Sequence, residues 1–389
     1  MQHIFFKKKR IILLLGSFLL VLGLIYIYYL QPPKQTPTVA VVTPKEDKKE
    51  TISLVATGDI LMHNTVIWSG RSGQDYNYDH LFAPVKHIIS SADYASVCLE
   101  SAIAGPAAGF TGYPTFNSPD QLAPSLKASG FNLIATASNH CLDRGYKGAE
   151  RTIKILQEAG LDTIGTYTSL EESQKHFIRD IRGVKVGYLA YTYGTNGIPI
   201  PENRPFFIRS LDKETIVSDI VNLRPTVDVL IVILHWGVEY SPFPTEKQRE
   251  MAKIFFENGA DALIGSHPHV IQPSELMNIN GKDHFVIYSM GNSIGHQHGV
   301  ERNSGVIVRL NFTKNFNTNE TNMSKVEFYP TFSHPYYDNG KQKFRVIPID
   351  ESLQAVESGE DPFLTPESAR LLKEIAQTTR EHLNDLNKP

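Results

Sequence analysis

The sequence predicts an α/β domain with mixed sheets, preceded by one N-terminal transmembrane helix. Three observations predict it. From Thr51 onward, short runs rich in Val and Ile alternate with amphipathic helical segments, the pattern of βαβ units. Arg182-Gly183 stands between two runs of alternating polarity, a hairpin that makes the sheet mixed rather than all parallel. Ahead of these, Ile11 to Leu30 are twenty residues in a row without a charge, enough to cross roughly 30 Å of hydrocarbon as a helix.

The N-terminal elements come first. Lys7, Lys8, Lys9 and Arg10 precede the apolar segment, and the positive-inside rule keeps Met1 in the cytoplasm. Tyr26, Tyr28 and Tyr29 would anchor the far end in the outer interface. A cleaved signal peptide is the competing reading, but the apolar core is long and Tyr28 to Pro33 offers no small-x-small site. Residues 1–10 are thus a cytoplasmic tail and 11–30 a signal-anchor, single-pass in the cell membrane, with the main domain extracytoplasmic. Residues 31–50 are a linker: four prolines, then the wholly charged stretch Lys45 to Glu50, bury too little apolar surface to fold.

Residues 51–350 form the main domain. Its helices are expected where caps frame amphipathic runs: from Ser118-Pro119 to Gly130, from Ala149 to Ala159, and from Thr245 to Gly259. Gly- and Pro-rich loops at 104–117 and 194–207 have the length of binding loops or lids, or of inert surface loops. Residues 351–389 are a C-terminal helical tail, with Thr365 to Leu386 as one charged helix.

The chemistry lies at the ends of five apolar runs. Ile52 to Ala56 leads to Gly58-Asp59, and Tyr94 to Val97 leads to Cys98-Leu99-Glu100. Leu133 to Thr136 leads to Asn139-His140, Val229 to Leu234 to His235-Trp236-Gly237, and Ala262 to Ile264 to His267-Pro268-His269. Ligands in open α/β sheets bind beyond the carboxyl ends of strands, so one sheet edge would gather these groups. On an extended backbone His267 and His269 would face one ion together. Asp59, Glu100, Asn139, His235, His267 and His269 suit one or two divalent ions of the Mn, Fe, Zn or Co kind. Two such ions could hold phosphate oxygens and orient an attacking water. His140 suits proton donation to a leaving group.

Several neighbours have two readings. Arg144 could clamp an anionic substrate or pair with Asp143 at the surface, and the surface pair is favoured. Glu239 could support a ligand histidine from behind, whereas Trp236 reads better as packing. Cys98 could ligate zinc, pair with Cys141 as a disulfide, or lie buried and inert, the favoured state. His63, His80, His87, His296 and His298 lack comparable framing, with His296-Gln297-His298 in reserve. No Gly-x-Ser-x-Gly elbow, P-loop or dinucleotide fingerprint occurs. A net charge of -3 gives no support for nucleic-acid binding.

Gly58-Asp59-Ile60, Leu99-Glu100, Ser138-Asn139-His140, His235 to Tyr240 and His267-Pro268-His269 together resemble the CapA family of poly-γ-glutamate capsule biosynthesis proteins, also called PgsA-like. Tyr113 to Asn117 and Leu142 to Gly145 also look like family segments, and the likeness runs from about Ser53 to Asn292. It implies a four-layer αββα sandwich related to calcineurin-like metallophosphoesterases. It further implies Asp59, Glu100, Asn139, His235, His267 and His269 around a metal centre of two Mn, Zn or Fe ions, with His140 as acid. As partners it implies poly-γ-glutamate, or another anionic surface polymer, and membrane-bound synthetase subunits. The chain departs from the family at Cys98, where Asn is usual, and at Ser266, where His is common; Cys141 follows His140. Two functions stay open: a metal-dependent hydrolase or transferase, and a non-catalytic scaffold of the synthetase complex.

Overall fold

Alternation within single strands decides the layering. In the strand Lys49–Ile60, Leu54 and Ala56 join one core and Val55 another, because successive side chains leave a pleated strand on opposite faces. The strand Val229–His235 does the same: Val229, Ile231 and Ile233 point one way, Leu230, Val232 and Leu234 the other. Each strand is therefore buried on both sides.

The computed structural model describes residues 2–31 and 48–383. The chain divides into two compact units, Met1–Glu46 and Asp47–Pro389. The first contains the helix Gln2–Leu30, whose stretch Ile12–Leu30 has the length and composition to cross a membrane or to serve as a signal. Of the expected linker, residues 32–47 lie outside the described residues.

The second unit holds two principal sheets. The first runs in the order Lys341–Pro348, Glu320–Asp338, Ser304–Asn315, Lys49–Ile60, Tyr94–Leu99, Leu133–Ala135, Asp162–Ile164, with Asn292–Ile294 added beside Lys49–Ile60. The second runs Ser274–Ile279, Lys282–Ile287, Ala262–Ser266, Val229–His235, Val184–Thr192, Phe177–Ile181. Both are mixed, as expected: the first is antiparallel from Lys341–Pro348 to Lys49–Ile60 and parallel from there to its Asp162–Ile164 edge, and the second has parallel pairs at its centre and an antiparallel pair at each edge. The hairpin at Arg182-Gly183 is present, both residues in the left-handed region that such tight turns require.

Leu54, Leu133, Val306 and Val308 of the first sheet meet Val186, Ile231, Ile264 and Phe285 of the second in a core between the sheets. Outside the first sheet pack Ile67, Phe82, Leu122, Leu126 and Leu156 from helices. Outside the second pack Ile216 and Ile220 of the helix Lys213–Leu223, with Met251 and Phe255 of Glu246–Glu257. The layers are helix, sheet, sheet, helix: the αββα sandwich that the resemblance implied.

Two expectations are corrected. The metal-type residues do not share one sheet edge, because the strands that carry them divide between the two sheets. The helix expected from Ser118 begins at Leu122, and Ser118 instead bonds Ser101 at 2.6 Å beneath the surface. Antiparallel strands fill residues 304–348, which the pattern of polar clusters did not reveal. The last helix spans Pro366–Leu383, and residues 384–386 of the expected one lie outside the described residues.

Candidate metal centre

The two sheets stack with the carboxyl ends of their parallel strands at one end, and both contribute. Asp59 comes from the end of Lys49–Ile60, where pairing to Tyr94–Leu99 shifts register between Thr57 and Asp59. A bulge of this kind re-aims a side chain. Gly58 makes it feasible, since a Cβ there would lie 2.1 Å from the Gly291 carbonyl oxygen. Glu100 follows Tyr94–Leu99, and Asn139-His140 follow Leu133–Ala135. From the second sheet come His235, the last residue of its strand, and His267 and His269 just past Ala262–Ser266.

The histidine pair does not sit on extended backbone. His267 has φ 96° and His269 φ 60°, so a left-handed turn aims both rings inward. Such conformations cost on the order of 1–3 kcal/mol at non-glycine residues and persist where the surroundings enforce them.

All six side chains are buried, none more than 3% exposed. Asn139 Oδ1 lies 2.8 Å from His235 Nε2. Glu100 Oε1 lies 3.6 Å from His235 Nε2, 3.8 Å from His269 Nε2 and 4.0 Å from His140 Nε2. Asp59 Oδ2 accepts the backbone N–H of His267 at 2.9 Å. Yet Asp59 Oδ1, both oxygens of Glu100 and His267 Nδ1 have no hydrogen-bond partner. Buried polar atoms without partners are costly. Ligand atoms of Glu100, His267 and His269 all lie within 4.8 Å, as do those of Asp59, Cys98 and His235.

The electrostatics agree. Burial, then the Glu100 charge, pushes Asp59 well above the usual carboxylate range, and hydrogen bonds from His267, Cys98 and Ser266 oppose this. Burial pushes Glu100 up to about 8. Burial holds His235 down at about 3, His267 at about 2, and His269 well below its ordinary value. Neutral imidazoles beside carboxylates without a cation are the donor set that a divalent ion completes.

One ring nitrogen on each of two histidines is also held. His235 Nδ1 meets Ser266 Oγ at 2.9 Å, and His269 Nδ1 meets Asn292 Oδ1 at 3.1 Å. The Asn292 oxygen only accepts, so it takes the proton of His269 Nδ1 and leaves Nε2 toward Glu100, while the Ser266 hydroxyl anchors the His235 ring. Glu239, a candidate for that role, is exposed and makes no hydrogen bond to the three centre histidines among the described residues; its charge acts on Glu100 and His140 and on the tyrosines Tyr193 and Tyr240.

Asp143 and Arg144 do not pair with each other. The Asp143 carboxylate turns inward to His140 Nδ1 at 2.7 Å and the Phe116 N–H at 2.7 Å. Arg144 instead bonds Thr111 and the carbonyl of Thr115, tying down the loop above. Burial alone would lower His140; the Asp143 hydrogen bond, then the charges of Glu100 and Asp143, more than reverse it. Both cysteines are free and buried, so the disulfide alternative is overturned. Cys98 Sγ lies 3.6 Å from His235 Nδ1, behind the imidazole, and burial with the Asp59 and Glu100 charges keeps it a thiol. Cys141 packs with Leu142, Ile153 and Phe207. Trp236 is core, its Nε1–H donating to Tyr288.

Residues outside the predicted set also frame the centre. Tyr193 stacks 4.5 Å from His267, Tyr240 leans on His269 at 5.9 Å, and Phe116 stands between His63 and His140. Asn196 touches Asn139 and His140. The Gly- and Pro-rich loops at 104–117 and 194–207 pointed toward Phe116 and Asn196, and the His235 to Tyr240 segment toward Tyr240; Tyr193, just past the strand Val184–Thr192, was not singled out.

Residues 53–297 match the family model described as bacterial capsule synthesis protein PGA_cap. The "Capsule biosynthesis protein CapA" of Bacillus anthracis is 27% identical over 72% of this chain and 68% of its own. The "PGA biosynthesis protein CapA" of Bacillus subtilis is 25% identical over 81% of this chain and 82% of its own. Among solved structures, a calcineurin-like phosphoesterase of Bacillus subtilis aligns with TM-score 0.43 and 15% identity, covering 86% of this chain and 99% of that one.

Proposed function

The chain belongs to the bacterial capsule synthesis family PGA_cap, and from that premise we propose a membrane-anchored, extracytoplasmic protein of poly-γ-glutamate synthesis, export or anchoring that carries a divalent-metal hydrolase centre. The names of the Bacillus relatives support the process. The apolar helix Ile12–Leu30 behind a basic tail supports the anchor and its orientation. The observation that carries the chemistry is the set of buried, unpartnered atoms on Asp59, Glu100 and His267, each within a cluster of ligand-type side chains.

Asp59, Glu100, Asn139, His235, His267 and His269 would hold two ions, with Glu100 central between the groups from the two sheets. When bound, such ions supply positive charge for phosphate or carboxylate oxygens and lower the pKa of water. The chain's own residues do the rest. Asn292 Oδ1, which only accepts, holds His269 with Nδ1 protonated, and Ser266 Oγ anchors the His235 ring at Nδ1. Asp143 holds His140 with Nδ1 protonated, leaving Nε2 toward the centre as the proton donor to a leaving group. Tyr193, Tyr240 and Phe116 wall the site and limit water.

The test is elemental analysis of the full chain in detergent, purified with Mn and Zn supplied, beside an Asp59→Ala/His267→Ala variant. One or two ions in the parent and none in the variant support the reading, and hydrolysis of phosphodiesters and γ-glutamyl peptides is then screened. A metal-free parent would favour the scaffold of the synthetase complex.

A further inference from the structure

We propose that Asn196 is a positioning residue of the metal centre, fixing the Asn139 amide with its carbonyl oxygen turned inward. This rests on the reading of Asn139 as a ligand. The amide of Asn139 has two ends that are not equivalent in a buried site. Its Oδ1 lies 2.8 Å from His235 Nε2, while its Nδ2 donates to Asn196 Oδ1 at 3.2 Å. Rotated by half a turn, the amide would present N–H donors to a cation and a carbonyl oxygen to another carbonyl oxygen. Asn196 Oδ1 accepts from the outward amide nitrogen, beside the Tyr193 hydroxyl, and so favours the inward-oxygen orientation.

The opposite end of the same side chain braces the next residue. Asn196 Nδ2 lies 3.4 Å from both ring nitrogens of His140, so it sits across the imidazole that Asp143 holds from its edge. Asn196 itself is exposed, whereas Asn139 and His140 are buried; it closes the centre from the solvent side.

The turn that carries Asn196 is built in advance. Its φ is 51°, in the left-handed region where Asn is among the few tolerated side chains. Thr195 brackets it through Oγ1 to the Ile198 carbonyl at 2.6 Å and the Ile198 N–H back to Thr195 at 2.9 Å. The segment is pinned to the ligand strand, since the Tyr193 N–H donates to the His235 carbonyl at 3.0 Å. Thus the loop's position is referenced to a ligand.

Two variants separate the side chain from the turn. Asn196→Gly accepts the left-handed backbone but removes the acceptor; Asn196→Asp keeps the acceptor. The full chain in detergent is titrated with Mn2+ alone, and free Mn2+ is read by electron paramagnetic resonance. Asn196→Gly is expected to bind about 10–100-fold more weakly than the parent, the usual range for residues that orient a ligand from behind. Asn196→Asp is expected to bind no more weakly than the parent, and metal-free Tm values are expected to match. Equal affinity in Asn196→Gly, or as large a loss in Asn196→Asp, overturns the proposal while leaving the metal centre standing. A parent that takes up no Mn2+ overturns both.

Discussion

Asp143 Oδ2 stands 2.7 Å from His140 Nδ1 with both side chains almost fully buried, at 2% and 6% exposure. The Phe116 N–H also donates to that oxygen, so the carboxylate cannot swing toward solvent and neither can the imidazole it holds. A histidine oriented this way donates a proton in one direction only. His140→Ala is expected to lower phosphodiester turnover by 10²–10⁴-fold, roughly the value of general acid catalysis, and Asp143→Asn by about 10²-fold. Metal content should not change in either variant. If His140→Ala loses its metal instead, His140 is a ligand and the acid role is wrong.

The unpartnered Glu100 oxygens predict a dependence of stability on metal. An ion present at 100-fold over its Kd stabilises the fold by about 2.7 kcal/mol, so chelation should lower Tm by several degrees. In Glu100→Gln that response should disappear, and at neutral pH the metal-free variant should melt above the metal-free parent, because burial raises the Glu100 carboxyl to about 8 and the amide carries no such protonation cost. Calorimetry with and without chelator decides this. A parent whose Tm ignores the chelator counts against the site.

Ser266 stands where the family often has histidine, and here it serves His235. Its Oγ lies 2.9 Å from His235 Nδ1, with Cys98 Sγ the weaker alternative at 3.6 Å. Ser266→Ala should therefore weaken Mn2+ binding about 10-fold without changing ion stoichiometry. An unchanged affinity would mean that the thiol of Cys98 alone suffices to hold the ring.

What the sequence made legible follows from range. Strands and their polar ends are local patterns, so the five apolar runs are strands and the capping box at Thr245 is present, where they were expected. The division of ligands between two sheets depends on strand order, which no local window contains. The left-handed turn at His267 and His269 was hidden because His carries no glycine signal for positive φ. Asp143 was misread for a similar reason: next to Arg144 in the chain it suggests a surface pair, but the turn after His140 points the two side chains apart. Ser266, Asn292 and Asn196 act on atoms brought near only by folding.

A last prediction concerns acid sensitivity away from the metal centre. His334 on Glu320–Asp338 is 9% exposed, and its Nδ1 accepts from Arg345 Nε at 3.3 Å. Arg345 in turn pairs with Asp361 at 2.8 Å, tying the strand to the segment before the last helix. Burial, then the Arg345 charge, lowers His334 from 6.5 to about 4, with Asp361 opposing. The unfolded chain thus takes up the proton first as pH falls, and stability rises with pH between about 4 and 6.5. This residue's contribution is complete above pH 6.5 and its loss at pH 4 is on the order of 3 kcal/mol. His334→Gln keeps a polar group of similar reach without the titration. Thermal melts at pH 7.5 and 5.0 should show a smaller drop in the variant than in the parent, and equal drops would mean that other groups set the acid limit.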